Sequence, residues 1–188
     1  MPTHDERIAI TVDDGSQIAG TLVTPAVKVP GVLFVHGWGG SQEQYLTRAR
    51  RIAALGCISL TFDLRGHAGD KAEQEKVTRD ENLNDVLAAY DRLASHRNID
   101  PESIAVVGSS YGGYMASILT AMRPVKWLAL RVPALFEDSD WEKPKRQLHR
   151  DQDLSGLRNR LVPASENRAL RACTKFAGDV LVVESQRD

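Results

Sequence analysis

The stretch Ile104-Ala-Val-Val-Gly-Ser-Ser-Tyr-Gly-Gly113 places two serines between glycines at the end of an apolar run. Gly108, Ser110 and Gly112 match the pattern G-x-S-x-G in one register only, so Ser110 is its central serine. The spacing has a mechanical reason. A sharp strand-to-helix turn holds the serine in a strained backbone conformation and lifts its hydroxyl above the sheet. The residues two before and two after lie against each other and must be small. Ser109 fits no such frame and faces away. A bare pentapeptide arises by chance, and a glycine-rich connection without chemistry is its plain alternative. The apolar residues before it and the helical pattern after it give it weight.

A serine hydroxyl at neutral pH is a poor nucleophile. It needs a base within hydrogen-bond reach, an acid to orient that base, and donors aimed at the developing oxyanion. Upstream, the short apolar run Gly31–Val35 suits a strand buried on both faces. His36-Gly-Trp-Gly-Gly-Ser41 follows it. The glycines let the backbone bend so that amide groups face a ligand. The backbone N–H groups of Trp38 and Tyr111 are the candidate oxyanion pair, with Gly39 as the substitute for Trp38. A glycine turn ahead of a capped helix is the simpler reading. His36 is expected to be structural, bonded to nearby backbone.

The rest of the chain alternates strands and helices. Residues 7–12 and the run through Leu22 flank Asp13-Asp14-Gly15, which predicts a β-hairpin. Ser41 and Gln44 have capping-box spacing, and Leu46, Ala49, Ile52 and Ala53 form one apolar stripe ended by Gly56. Cys57–Phe62 reads as strand, and Leu83, Val86, Leu87, Tyr90 and Leu93 as a second helical stripe. Asp100-Pro101 is expected to turn the chain into a strand at 104–107, and a helix runs from near Tyr111 to before Pro124. Residues 126–130 and 179–183 read as strands. Between them, 136–178 is charged, with short helical patterns at Leu154, Leu157 and Leu161 and at Leu170 and Cys173 after a cap at Ser165. This predicts one α/β domain over 1–188, a mostly parallel sheet with helices on both faces and a charged insertion at 136–178 over one end of the sheet.

The motifs Asp63-Leu-Arg-Gly-His67, His36–Gly40 and Gly108–Gly112 together resemble the α/β-hydrolase family, nearest to small bacterial hydrolases of the dienelactone-hydrolase and prolyl-oligopeptidase-like kind. The resemblance implies a three-layer α/β-hydrolase sandwich with strand order 1-2-4-3-5-6-7-8, the first pair antiparallel to the remainder. It makes residues 136–178 a small helical cap over the site and Asp188, after the seventh strand, the triad acid. Glu184 is a weaker candidate, and Asp138 and Asp140 occupy a position some members use. It gives Arg65 and His67 the role of anchoring their loop and lining the pocket rim.

The family's histidine follows an eighth strand, and the sequence ends at Asp188, so strand 8, the final helix and that histidine are missing. His4 lies in the tail, His36 and His67 belong to motifs with other roles, His96 belongs at the far edge of the sheet, and His149 in the cap could swing toward Ser110. Truncation is the expectation. A fragment of this kind should be nearly inactive and prone to self-association through the unguarded strand 179–183. The alternatives are a non-catalytic binding module on a hydrolase scaffold, or an acyltransferase using an alcohol acceptor.

Composition narrows the rest. Apolar residues make up 42% and charged residues 26%, and the net charge of −1 offers no basic surface for nucleic acid. No run is long enough for a membrane span, and the start lacks a secretory pattern. Cys57 and Cys173 are expected to be buried free thiols, which with the missing leader suggests a cytoplasmic protein. No metal-ligand spacing or nucleotide-binding pattern appears, so no cofactor or metal is expected, and the expected partner is a small carbonyl substrate. Trp141, Leu148, Leu154 and Leu157 either wall a pocket or dock the cap onto the sheet, the second being the plainer reading.

Overall fold

The computed structural model describes residues 3–25, 29–151, 153, 156–157 and 159–185. Its elements in chain order are β1 (Thr3–Thr11), β2 (Gln17–Pro25), β3 (Val29–Val35), α1 (Glu43–Ala54), β4 (Ile58–Phe62), α2 (Lys71–Gln74), α3 (Arg79–Ala94), β5 (Ile99–Ser109), α4 (Tyr111–Leu119), β6 (Trp127–Arg131), α5 (Lys145–Asp151), α6 (Arg168–Lys175) and β7 (Asp179–Val183). Among the described residues the strands form one seven-stranded sheet in the order β1-β2-β4-β3-β5-β6-β7. This is the expected order through the seventh strand. The expected direction of β1 is corrected. β1 pairs antiparallel with β2 and β2 antiparallel with β4, so two reversals bring β1 back into line and β2 alone runs against the other strands. Pairings β3–β4, β3–β5, β5–β6 and β6–β7 are all parallel.

Local chemistry explains most of the elements. In the hairpin turn Gly15 takes φ 79°, and the Asp14 carboxylate accepts from the Ser16 amide at 2.9 Å. β3 alternates strictly. Leu33 and Val35 join the larger core with α3 and α4, whereas Val32 and Phe34 face Tyr45, Ala49 and Ala53 of α1. Helices thus cover both faces of the sheet. α3 opens on a capping box between Thr78 and Glu81 and buries Leu83, Val86, Leu87, Tyr90 and Leu93, the stripe expected.

Several expectations are corrected. α1 has no Ser41–Gln44 box: its N-cap is Gln42, without a side-chain cap. The Asp63 carboxylate fixes that entry instead, accepting from both the amide and the Nε2 of Gln42 at 2.8 Å. Asp100-Pro101 lies inside β5 rather than in a turn before it. The register against β3 shifts there from Val29↔Ile99 to Gly31↔Ile104, and an irregularity of this kind tolerates a proline that cannot donate. Asn167, not Ser165, caps α6, accepting from the amides of Ala169 and Leu170. The buried face of α6 is Ala169 and Ala172, while Cys173 is exposed and Cys57 half-buried. Small residues fit there because α6 packs closely on α4.

In the 136–178 segment Phe136, Trp141, Leu148 and Leu157 are buried, whereas Leu161 is fully exposed. Leu154 lies outside the described residues. At the other edge of the sheet, β7 pairs with β6 alone among the described residues, and Leu181 remains 60% exposed.

Candidate active site

Ser110 joins β5 to α4 with φ 51° and ψ −118°, a conformation a non-glycine residue adopts only when its surroundings impose it. Those surroundings are specific. The Ser110 amide donates to the Arg131 carbonyl at 3.0 Å, and its carbonyl accepts from the amides of Tyr114 and Ala134 at 3.1 and 3.0 Å. The glycines permit the crossing. A Cβ on Gly108 would lie 2.5 Å from the Gly112 carbonyl oxygen, and one on Gly112 would lie 2.5 Å from the His36 carbonyl oxygen. Ser109 points elsewhere: it is buried, and its Oγ accepts from the Arg131 guanidinium at 3.2 Å.

The 36–40 loop is brought beside this turn. A Cβ on Gly37 would sit 3.4 Å from Ser110 Cβ and 3.3 Å from the Ser109 carbonyl oxygen. Tyr111 is the first residue of α4, so its amide is one of the four that a helix leaves without an intrahelical acceptor. Trp38 packs edge-on to the Tyr111 ring with centroids 5.5 Å apart. The structure therefore brings Ser110, the Trp38 loop and the Tyr111 helix start together.

The histidines near this turn have structural contacts. Nδ1–H of buried His36 donates to the Gly37 carbonyl at 2.8 Å, and its Nε2 accepts from the Leu64 amide at 3.1 Å. Both nitrogens are thus engaged, and burial pushes the ring pKa down. His67 donates from Nδ1 to the Arg65 carbonyl at 2.9 Å and packs edge-on to Trp38, centroids 4.7 Å apart. Burial first, with the charges of His36 and Lys145 adding, brings its pKa down to about 4. Arg65 turns away from the loop to α3 and the hairpin, pairing with Asp85 at 2.7 Å and with Asp14. It anchors the loop, as expected, but does not line the site.

The other candidates are placed as follows. His96 precedes β5 and Ser110 follows it, which separates them by about 30 Å of strand. His4 is exposed on β1. Asp138 accepts from the Arg168 amide at 2.7 Å and lies 3.3 Å from the Arg171 guanidinium, so it holds the start of α6. Asp140 pairs with Lys143 at 2.9 Å. Glu184 is exposed just beyond β7. Asp188 and the His149 side chain lie outside the described residues.

Two buried cations escaped the sequence reading. Lys145 is 0% exposed, and its Nζ lies 3.9 Å from the ring centre of Trp38, 4.7 Å from that of Phe136 and 4.8 Å from that of Tyr111. Arg79, equally buried, donates to the carbonyls of Glu137 (2.6 Å) and Ser139 and lies over Trp141. Trp141 carries Arg168 at 3.8 Å as well, so it docks the segment onto the domain. Nothing in the charge run Glu142-Lys-Pro-Lys-Arg146 distinguishes the lysine that is swallowed from those that are solvated.

A cavity of about 340 Å³ adjoins the turn, lined by Gly37 to Gly40, Ser109, Arg48 and Arg131. Both arginines make its potential positive. Among the described residues no group of three or more His, Cys, Asp or Glu could hold a metal ion, and no helix is long and apolar enough to cross a membrane.

Comparison with known proteins bears on this arrangement. Residues 32–183 match the family model described as the Alpha/beta hydrolase family. The chain is 29% identical over 128 residues to an uncharacterized protein of Mycobacterium tuberculosis, covering 67% of this chain and 44% of that one. It is 36% identical over 93 residues to the quorum-quenching protein AidA of Acinetobacter baumannii, covering 48% of this chain and 30% of that one. The chain thus spans less than half the length of these curated relatives. Among solved structures, it resembles an acetyl xylan esterase from Paenibacillus sp. R4 with TM-score 0.65 and 18% identity, over 100% of this chain and 84% of that one.

Proposed function

The chain belongs to the alpha/beta hydrolase family, and from that premise we propose that Ser110 is the nucleophile of a serine hydrolase acting on an ester, thioester, lactone or amide. The observation that carries the reading is the backbone of Ser110, held at φ 51° between a strand and a helix by two glycines that admit no Cβ. Strain of this kind persists only where the surroundings over-determine it.

Ser110 Oγ attacks the carbonyl carbon while its proton passes to a general base. The negative charge that develops on the carbonyl oxygen is met by the amides of Trp38 and Tyr111, on the loop and helix start that flank the serine. Collapse of the tetrahedral adduct breaks the bond to the leaving group, which takes the proton from the base. Water then repeats the sequence on the acyl-serine and frees the acid. The positive cavity beside the turn suits the carboxylate so formed.

Among the histidines whose side chains are described, His36 has both ring nitrogens bonded to backbone. His67 is held by the Arg65 carbonyl through Nδ1 and buried among Trp38 and Tyr111. His4 and His96 are remote, so we place the base outside this set. Asp188 remains the candidate to orient it, with Glu184 second. Without a base, oxyanion stabilisation and binding alone amount elsewhere to ~10³–10⁴-fold over water.

The test is acylation by an activated ester. Incubation with p-nitrophenyl acetate should place one acetyl group on Ser110, detected in the peptide by mass spectrometry, and none at that peptide in Ser110→Ala. Equal release of nitrophenolate by both chains, with Ser110 unmodified, refutes the assignment.

A further inference from the structure

We propose that Lys145 is a positioning residue: inserted from α5 between the rings of Trp38, Tyr111 and Phe136, its ammonium locks together the two segments that carry the oxyanion amides, and releases them when it loses its proton. The inference rests on the reading of Trp38 and Tyr111 given above.

Trp38 lies in the loop between β3 and α1, and Tyr111 opens α4; the two segments are far apart in the chain. Their spacing decides whether two amides can meet one oxygen. A single atom, Lys145 Nζ, lies 3.9 Å from one ring centre and 4.8 Å from the other, with the Phe136 ring at 4.7 Å closing the box. Attraction between an ammonium and an aromatic face strengthens when water is excluded, and this lysine is wholly excluded.

Its root is fixed as well. The Lys145 amide donates to the Val77 carbonyl at 2.9 Å, and Pro144 bridges to Thr78, the residue that caps α3. The side chain is therefore held at both ends, and α5 cannot move without drawing the ammonium from the box.

The same surroundings make the clamp sensitive to pH. Arg79, at the start of α3, faces the lysine with a like charge, and His67, in the loop after β4, is uncharged near neutrality. From α4, Tyr111 and Tyr114 present phenols that burial keeps protonated. Burial first and Arg79 second bring the Lys145 pKa down to about 7. The ammonium that the rings attract is therefore present below that pH and lost above it.

The test uses the whole chain in three forms: wild type, K145M and S110A. Nuclear magnetic resonance follows the backbone amides of Trp38 and Tyr111 and the Lys145 side chain from pH 6 to 9. In wild type and S110A all three should titrate with a shared midpoint near 7. In K145M the two amides should stop titrating while the hairpin amides stay unchanged. K145M should fold, because an apolar chain of similar length replaces a buried charge. Acetylation of Ser110 should slow roughly tenfold or more in K145M. Amides that still titrate in K145M, amides that never titrate in wild type, or Ser110 acetylation unslowed by K145M each overturn the inference. A chain with the shared titration but no acetylation at Ser110 in any form leaves the clamp standing and sinks the nucleophile instead.

Discussion

Alanine at Gly112 and alanine at Gly113 are the same chemical change at adjacent positions in the first turn of α4, and the structure assigns them different outcomes. Each gains up to ~1 kcal/mol of intrinsic helix propensity over glycine. At 113 the new Cβ meets the Cβ and Cα of Pro133 at 3.1 and 3.2 Å, so the loop must give by a few tenths of an ångström. Gain and strain then roughly cancel. At 112 the new Cβ lies 2.5 Å from the His36 carbonyl oxygen and closer still to that of Val35. Both are backbone atoms at the end of a strand paired on each side, so they cannot rotate away. The start of α4 must instead retreat by about 1 Å, an overpacking strain of ~3 kcal/mol against which propensity returns at most ~1. The net loss is ~2 kcal/mol, or about 1 M in the urea midpoint for a slope near 2 kcal/mol/M. Urea unfolding followed by tryptophan fluorescence measures it, and acetylation of Ser110 should fail in G112A but persist in G113A. A G112A midpoint within about 0.3 M of wild type, or an equal fall in G113A, would show that the two backbones do not cross as described.

Two further outcomes follow from groups away from the turn. His67 has its pKa brought from near 6.5 down to about 4 by burial, so the unfolded chain binds the proton that the folded chain refuses. The His67 contribution to stability should therefore be complete above pH 6.5 and fall by about 3 kcal/mol as the pH is lowered to 4. His67→Gln should flatten that window in thermal unfolding, and an unchanged slope would reject the assignment. At β7, paired with β6 alone among the described residues, Leu181→Lys places a charge in the exposed strand Asp179–Val183. Sedimentation should show the wild-type chain associating and the variant monomeric; a monomeric wild type removes the case for self-pairing.

What could be read in one dimension was whatever depends on neighbours in the chain. The bounds of β7 coincide with the apolar run 179–183. The Gly108–Ser110–Gly112 spacing is itself the geometry of the turn. Readings failed where a distant group took over a local task. Ser41 and Gln44 have the spacing of a cap, but Asp63, brought in by β4, already satisfies Gln42. Leu170 and Cys173 carry the helical apolar spacing of α6, yet close approach to α4 places Ala169 and Ala172 on its buried face. Lys145 is the extreme case. Its burial depends on three rings contributed by three separate segments, and no property of its own neighbours announces it.

The left-handed backbone at Ser110 sets two kinds of fitness against each other at a single codon. Glycine would adopt φ 51° without penalty, and relief of such a conformation is typically ~1–3 kcal/mol. A library screened for heat resistance alone should therefore drift away from serine at that position and lose the hydroxyl. A screen that retains serine there is reporting chemistry rather than endurance.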